Sequence, residues 1–314
     1  MKRLFRKIWN QKGQAAVLLA AALPFLLGFM TLSLDAGRVF VAHEKLQSAA
    51  DAAALAGASY LPGDTSQAIS AAVATAVANG VPKADVAAEI IGSSGNQISV
   101  STTNTLSLFF GPLIGIPSAT TGAVSVAEAG LPESMSGLIP LGVVQGNYTV
   151  GQTYTLKTSS GSGTDGDFGP LWFGDASPGA STYEKDLRDG APVIISVGET
   201  IETEPGNMVG PTDSGLQGRI SDAGGSESGG CQNFNGAGGT AGDVTSPLLV
   251  YVPIITPPAQ GRTSVTVVGF AAFWLEKVSG GEVTGEFLKE SVTGPVTTAS
   301  AIGSDNVVGV QLIR

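Results

Sequence analysis

The sequence predicts an α+β protein: a long N-terminal transmembrane and stalk helix, a small α+β domain, and a C-terminal β-rich domain. Three observations predict it. An uncharged apolar run near the start is followed without a break by alanines at helical spacing. Valine- and threonine-rich runs then alternate with glycine-rich turns over the remainder of the chain. Aromatic residues make up only 6% of the 314, so any buried core leans on Ala, Val, Ile and Leu.

Residues 1–13 form a basic tip, with Lys2, Arg3, Arg6, Lys7 and Lys12 and no acid. The whole chain carries a formal charge of −10, so everything after the tip is strongly acidic. A basic tip suits the anionic cytoplasmic face of a membrane. The acidic remainder offers nucleic acid no electrostatic footprint, and no nucleic-acid partner is expected.

Residues 14–34 carry no charge. As a helix rising about 1.5 Å per residue they span about 30 Å, the thickness of a bilayer hydrocarbon core. Basic residues on one flank and Asp35 on the other place the N-terminus in the cytoplasm and the bulk of the chain outside, extracellular or periplasmic. A cleaved secretory signal is the alternative, but its apolar region usually runs about 7–15 residues and then stops. Here the run passes straight into a helical pattern. Pro24 removes one backbone hydrogen bond from the span. Ala15, Ala16, Ala20, Ala21, Ala22 and Gly28 leave room for a neighbouring membrane helix, so oligomerisation is open.

Beyond the span, Ala42, Leu46, Ala49, Ala53 and Ala56 recur at 4-3-4-3 spacing, with His43, Glu44, Gln47, Ser48 and Asp51 on the other side. The helix is therefore expected to continue to about Gly57. Its alanine stripe is expected to lie under the chain's own second helix and sheet, with helix packing between subunits as the alternative. Asp35 and Arg38, three apart, are expected to form an ion pair at the lipid boundary that anchors the helix exit. Docking of a partner is the second reading for that pair.

Three segments of this region resemble a known family. They are Gly13-Gln14-Ala15-Ala16, Leu34-Asp35-Ala36-Gly37-Arg38, and Leu46-Gln47-Ser48-Ala49-Ala50-Asp51-Ala52-Ala53-Ala54-Leu55-Ala56-Gly57. Together they resemble the N-terminal segment of TadG-like proteins of the Flp/Tad pilus-assembly system. The resemblance implies a single-pass membrane protein related to minor pilins, working beside other pilus-assembly proteins in the cell envelope, including as an adhesin. It makes Gly13 and Gln14 a candidate processing site. It marks Asp35, Arg38, Leu46, Gln47, Ala49, Asp51 and Ala53 as family motif and packing residues. Prepilin-type signals place a glutamate five residues after the cleaved glycine, and this chain has Leu18 there. A retained anchor is therefore expected, with a filament subunit processed after Gly13 as the alternative.

Residues 35–130 read as the helical stalk and small α+β domain. Asp64 or Thr65 caps a second helix that Asn79-Gly80 ends in a left-handed turn. Strands are expected over 86–91, 98–106 and 120–127. Between the last two, Phe109-Phe110-Gly111-Pro112-Leu113-Ile114-Gly115-Ile116 reads as a core segment or loop plug, with insertion into lipid or contact with a partner as alternatives.

Residues 137–314 read as the β-rich domain, with strands over 138–144, 148–158, 193–197, 248–255, 264–275 and 307–312. Short helices are expected over 181–189 and 215–221, and a glycine-rich loop over 224–242. Residues 166–171 with 198–212 resemble an extra C-terminal domain of TadG-related envelope proteins.

Chemistry is sparse. His43 is the only histidine, which removes the imidazole that Ser-His or Cys-His nucleophilic catalysis requires, and Cys231 stands alone. No cofactor and no enzymatic activity are expected. The alternative is a calcium-dependent binding module or envelope enzyme using the acidic segment that contains Asp165, Asp167, Asp175, Glu199, Glu202 and Glu204.

Overall fold

A computed structural model describes residues 11–146, 148–157, 169–174, 177–204, 206–223, 246–257, 264–297 and 307–313. Its first helix, α1 (Gln11–Ala58), runs unbroken for 48 residues with Pro24 inside it, a length of about 72 Å. Side chains from Ala16 to Leu34 are almost all exposed, whereas Leu46, Ala49, Ala50, Ala53, Ala54 and Ala58 are buried. The helix thus divides into an apolar half that none of the described residues covers and a packed half.

Helix α2 (Thr65–Ala78) starts where Asp64 Oδ1 accepts the Gln67 N–H at 2.8 Å and stops before Gly80, whose φ of +88° suits a residue without a Cβ. Strands β1 (Val86–Ile91), β2 (Gln97–Ser107) and β3 (Ser118–Pro132) follow as an antiparallel meander. Both helices lie on this sheet. Ala53, Ala54 and Ala58 meet Ala68, Ala72 and Ala76 on one side and Ile98, Val100, Ala127 and Ala129 on the other. The alanine stripe is covered by the chain's own second helix and sheet, as its small size favours.

The chain then leaves this layer through β4 (Ser134–Ser136), β5 (Val143–Val144), β6 (Thr153–Lys157) and β7 (Leu171–Trp172). It continues through α3 (Ala180–Asp189), β8 (Ile194–Ser196), β9 (Thr200–Thr203), α4 (Val209–Asp222) and β10 (Leu249–Ile255). The long strand β11 (Ser264–Ser279) pairs with β10 and β9, and turns at Gly280-Gly281 into β12 (Glu282–Leu288). Both turn glycines have positive φ, which a two-residue hairpin of this twist requires. The second sheet has the order β5-β10-β11-β12-β6. Phe270, Phe273, Phe287, Leu156 and Tyr183 fill its core.

The chain then returns. β13 (Ser291–Thr293), β14 (Val296–Thr297) and β15 (Val308–Ile313) rejoin the first sheet, β15 pairing antiparallel with β3. The strand expected over 307–312 forms, but it closes the first sheet rather than the second. The boundary expected at residue 137 therefore marks where an inserted β-rich region begins, and the last strands belong to the first layer.

Other expectations shift for local reasons. The strand expected over 138–144 shrinks to β5, because Ile139 donates to the Tyr251 carbonyl and Leu141 back to Ile139 in an irregular buried segment. The one expected over 148–158 shrinks to β6, because Gln152 turns back on the Thr149 carbonyl. The helix expected from Gly215 starts at Val209, since Pro211 lies in the first turn, where its missing N–H is not needed. The basic tip from 1 to 10, the loop over 224–242 with Cys231, residues 166–168 and the acids Asp165, Asp167 and Asp175 lie outside the described residues.

Candidate functional site

The conserved geometry of a helix places Asp35 and Arg38 on one face, one turn apart. Asp35 is only 5% exposed although it follows directly on the apolar run. Its carboxylate accepts three backbone N–H groups from the loop between β2 and β3: Phe109 at 2.8 Å, Phe110 at 2.9 Å and Gly111 at 3.0 Å. Arg38 Nη1 donates to the Ser107 carbonyl at 2.9 Å, and its guanidinium lies 4.1 Å from the centre of the Phe109 ring. The expected ion pair between Asp35 and Arg38 does not form. Each side chain reaches across to the same loop, because three convergent amide donors and a stacked ring satisfy them better than a lone exposed pair. Burial works against the Asp35 charge, but the three amides, helped by Arg38, outweigh it and hold the carboxyl below its ordinary value.

Farther along α1, His43 Nδ1 lies 3.0 Å from the Gly122 carbonyl oxygen, and the Leu46 carbonyl accepts from Thr102 Oγ1 at 3.2 Å. Gln47 Nε2 donates to Asp51 Oδ1 at 2.7 Å along the half-buried flank, while Leu46, Ala49 and Ala53 are buried. A methyl group added at Gly57 would come within 2.6 Å of Ile98 Cδ1, so helix and sheet are in close contact there. A groove of about 590 Å³ opens beside Arg38 and Lys45, lined by Leu34, Val41, Ala42, Leu46, Val81 and Leu106.

The segment from Phe109 to Ile116, expected as a core segment or plug, is not buried. Only Gly111 is enclosed, while Phe109, Leu113, Ile114 and Ile116 face outward. Gly13 and Gln14 lie in the first turns of α1. In the inserted β-rich region Glu199 Oε2 accepts the Ser196 N–H at 2.8 Å, and Glu204 Oε1 accepts the Gly179 N–H at 2.9 Å. These acids serve turns and a helix start. Among the described residues no group of three or more His, Cys, Asp or Glu is placed to hold a metal ion.

Fold and site together define an α+β protein built on one N-terminal helix long and apolar enough to cross a membrane, whose exit clasps the tip of a β-hairpin. Residues 13–59 match the family described as "Putative Flp pilus-assembly TadE/G-like", which agrees with the resemblance carried by the three N-terminal segments. The match covers the apolar run, Asp35 and Arg38 on the helix side of the clasp, and the alanine stripe. No curated protein and no solved structure matches the chain.

Proposed function

We propose that the chain is a single-pass component of a Flp/Tad-type pilus-assembly or secretion system that acts through protein contacts rather than catalysis. Residues 14–34 cross the membrane with the basic tip in the cytoplasm, and the alanine-packed layer and the inserted β-rich region stand outside. One observation carries this reading: α1 is a single helix whose first half is apolar and uncovered and whose second half is the spine of a folded layer. A rigid spine transmits the orientation of the outer region to the membrane, which suits a scaffold. The TadE/G-like match over 13–59 supports the pilus system, and the basic tip supports the orientation. The partners on this reading are membrane lipid along 14–34 and other pilus-assembly proteins. Asp35 and Arg38 position the hairpin, and Leu46, Ala49 and Ala53 pack the stalk.

Protease added to intact cells, or to spheroplasts where an outer membrane intervenes, is expected to remove the region beyond Ala58 and leave the anchor protected. No cleavage, or a mature polypeptide in the medium without residues 14–34, overturns the reading. Intact mass of the membrane-extracted protein separates the second role. A start at Gln14 would make it a processed filament subunit, a role the uncovered half of α1 also fits, because the same apolar surface packs against copies of itself.

A further inference from the structure

The β2–β3 hairpin runs alongside α1 in the opposite direction. Ile98 sits over Gly57, Thr102 bonds to Leu46, Gly122 lies against His43, Ser107 bonds to Arg38, and residues 109–111 bond to Asp35. From Gly57 back to Asp35 the helix covers about 33 Å, and from Ile98 to Phe109 a strand covers about 36 Å. The two lengths agree, so the hairpin is straight beside the helix and its tip reaches the level at which the apolar half of α1 begins.

That tip is apolar and uncovered. Phe109 is 64% exposed, Leu113 82%, Ile114 69% and Ile116 51%. Leu32 and Leu34, which precede Asp35 on α1, are exposed as well. No charged residue occurs from Ile90 to Ala127, and the two charges beside the tip, Asp35 and Arg38, are both occupied by the loop.

Most of the loop's backbone N–H groups are paired, which lowers the cost of entering lipid, where an unpaired donor is expensive. Leu108 donates to Pro117, Leu113 to Phe110, Gly115 to Pro112 and Ile116 to Gly111. Pro112 and Pro117 have no N–H to satisfy, and Asp35 takes those of Phe109, Phe110 and Gly111. A loop meant for a core would not point its largest side chains outward, as Phe109, Leu113, Ile114 and Ile116 do.

We infer that the tip from Phe109 to Ile116 is a second membrane contact, inserted into the leaflet that α1 enters at Leu34 and held at that depth by Asp35 and Arg38. The inference rests on α1 spanning the bilayer. Two contacts at one level fix the tilt and rotation of the outer layers relative to the membrane, which a single rigid span, free to tilt and turn in the bilayer, does not.

The test uses the full chain reconstituted in phospholipid vesicles, with Cys231→Ser and one environment-sensitive fluorophore on an introduced cysteine. Three sites are compared: Leu26→Cys in the span, Leu113→Cys on the tip and Ile194→Cys on the exposed outer surface. Labels at 26 and 113 are expected to emit at shorter wavelength and to be quenched by nitroxides on the lipid chains but not by aqueous iodide, with 194 showing the reverse. If the label at 26 escapes the lipid quencher, the anchor reading itself fails. If 26 is quenched by lipid but 113 by iodide, the inserted tip is wrong. A label at 113 shielded from both quenchers also overturns it, in favour of a tip covered by protein.

Discussion

The alanine-packed first layer and the inserted β-rich region solve the same problem with opposite materials. Where α1, α2 and the first sheet meet, the buried side chains are mostly alanine, flanked by Ile98, Val100 and Val308. The outer core is built from Phe270, Phe273, Phe287, Leu138, Leu141 and Leu187. Alanine contributes little apolar area, but it loses no side-chain freedom and lets backbones approach closely. Aromatic rings bury far more area each and require neighbours shaped to receive them. The lesson is one of sensitivity: the first core tolerates no added volume, and the second tolerates no lost volume.

The largest expected effect therefore comes from truncation in the outer core. Phe273 is fully buried, with its ring 5.2 Å from Phe287 and a wall formed by Gly285. Phe273→Ala is expected to cost about 3–5 kcal/mol, read from the urea midpoint of the detergent-solubilised chain. A loss below about 1 kcal/mol would mean that the site collapses around the gap and would erase the contrast.

Enlargement in the alanine layer comes next. Ala54 is fully buried in the cluster that α1 forms with α2 and the sheet. Ala54→Leu is expected to cost about 1–3 kcal/mol by forcing the elements apart, measured in the same way. A neutral result would show slack that the packing of Gly57 against Ile98 and Ala72 argues against.

The same contrast governs what could be read from the sequence. The stalk was legible because alanines at 4-3-4-3 spacing and the Asp64 and Asn79-Gly80 signals are local, and α2, β1, β2 and β3 fall where they were expected. The clasp was not legible. Asp35 and Phe109 are 74 positions apart, and no spacing rule links a carboxylate to amides so distant. The return of β15 to the first sheet is hidden for a related reason: alternation announces a strand but does not choose its partner. The hairpin at Gly280-Gly281 did carry a readable signal, two glycines between alternating runs, and β12 was missed despite it.

Acidity sharpens the comparison with the smallest and most informative effect, because the two regions respond with opposite sign. In the first layer the Asp35 carboxyl is held below its ordinary value of 3.8. Its contribution is complete above that value and is lost as the pH falls through the lower, folded one. In the inserted region, burial and repulsion by Glu286 raise Glu276 above its ordinary 4.5, with Thr153 opposing, and burial raises Glu290, with the Ser291 amide opposing. Those contributions are complete below 4.5 and fade as the pH rises through the raised folded values. Acidification from neutral pH is thus expected to raise the urea midpoint first, as Glu276 and Glu290 take up protons, and to lower it only once Asp35 is protonated. Glu276→Gln should reduce the neutral arm to the part that Glu290 supplies and leave the acid arm, and Asp35→Asn should remove the acid arm and leave the neutral one. If Asp35→Asn instead changes the neutral arm, the clasp and the outer carboxylates are coupled through the returning strands, and the two regions do not respond independently.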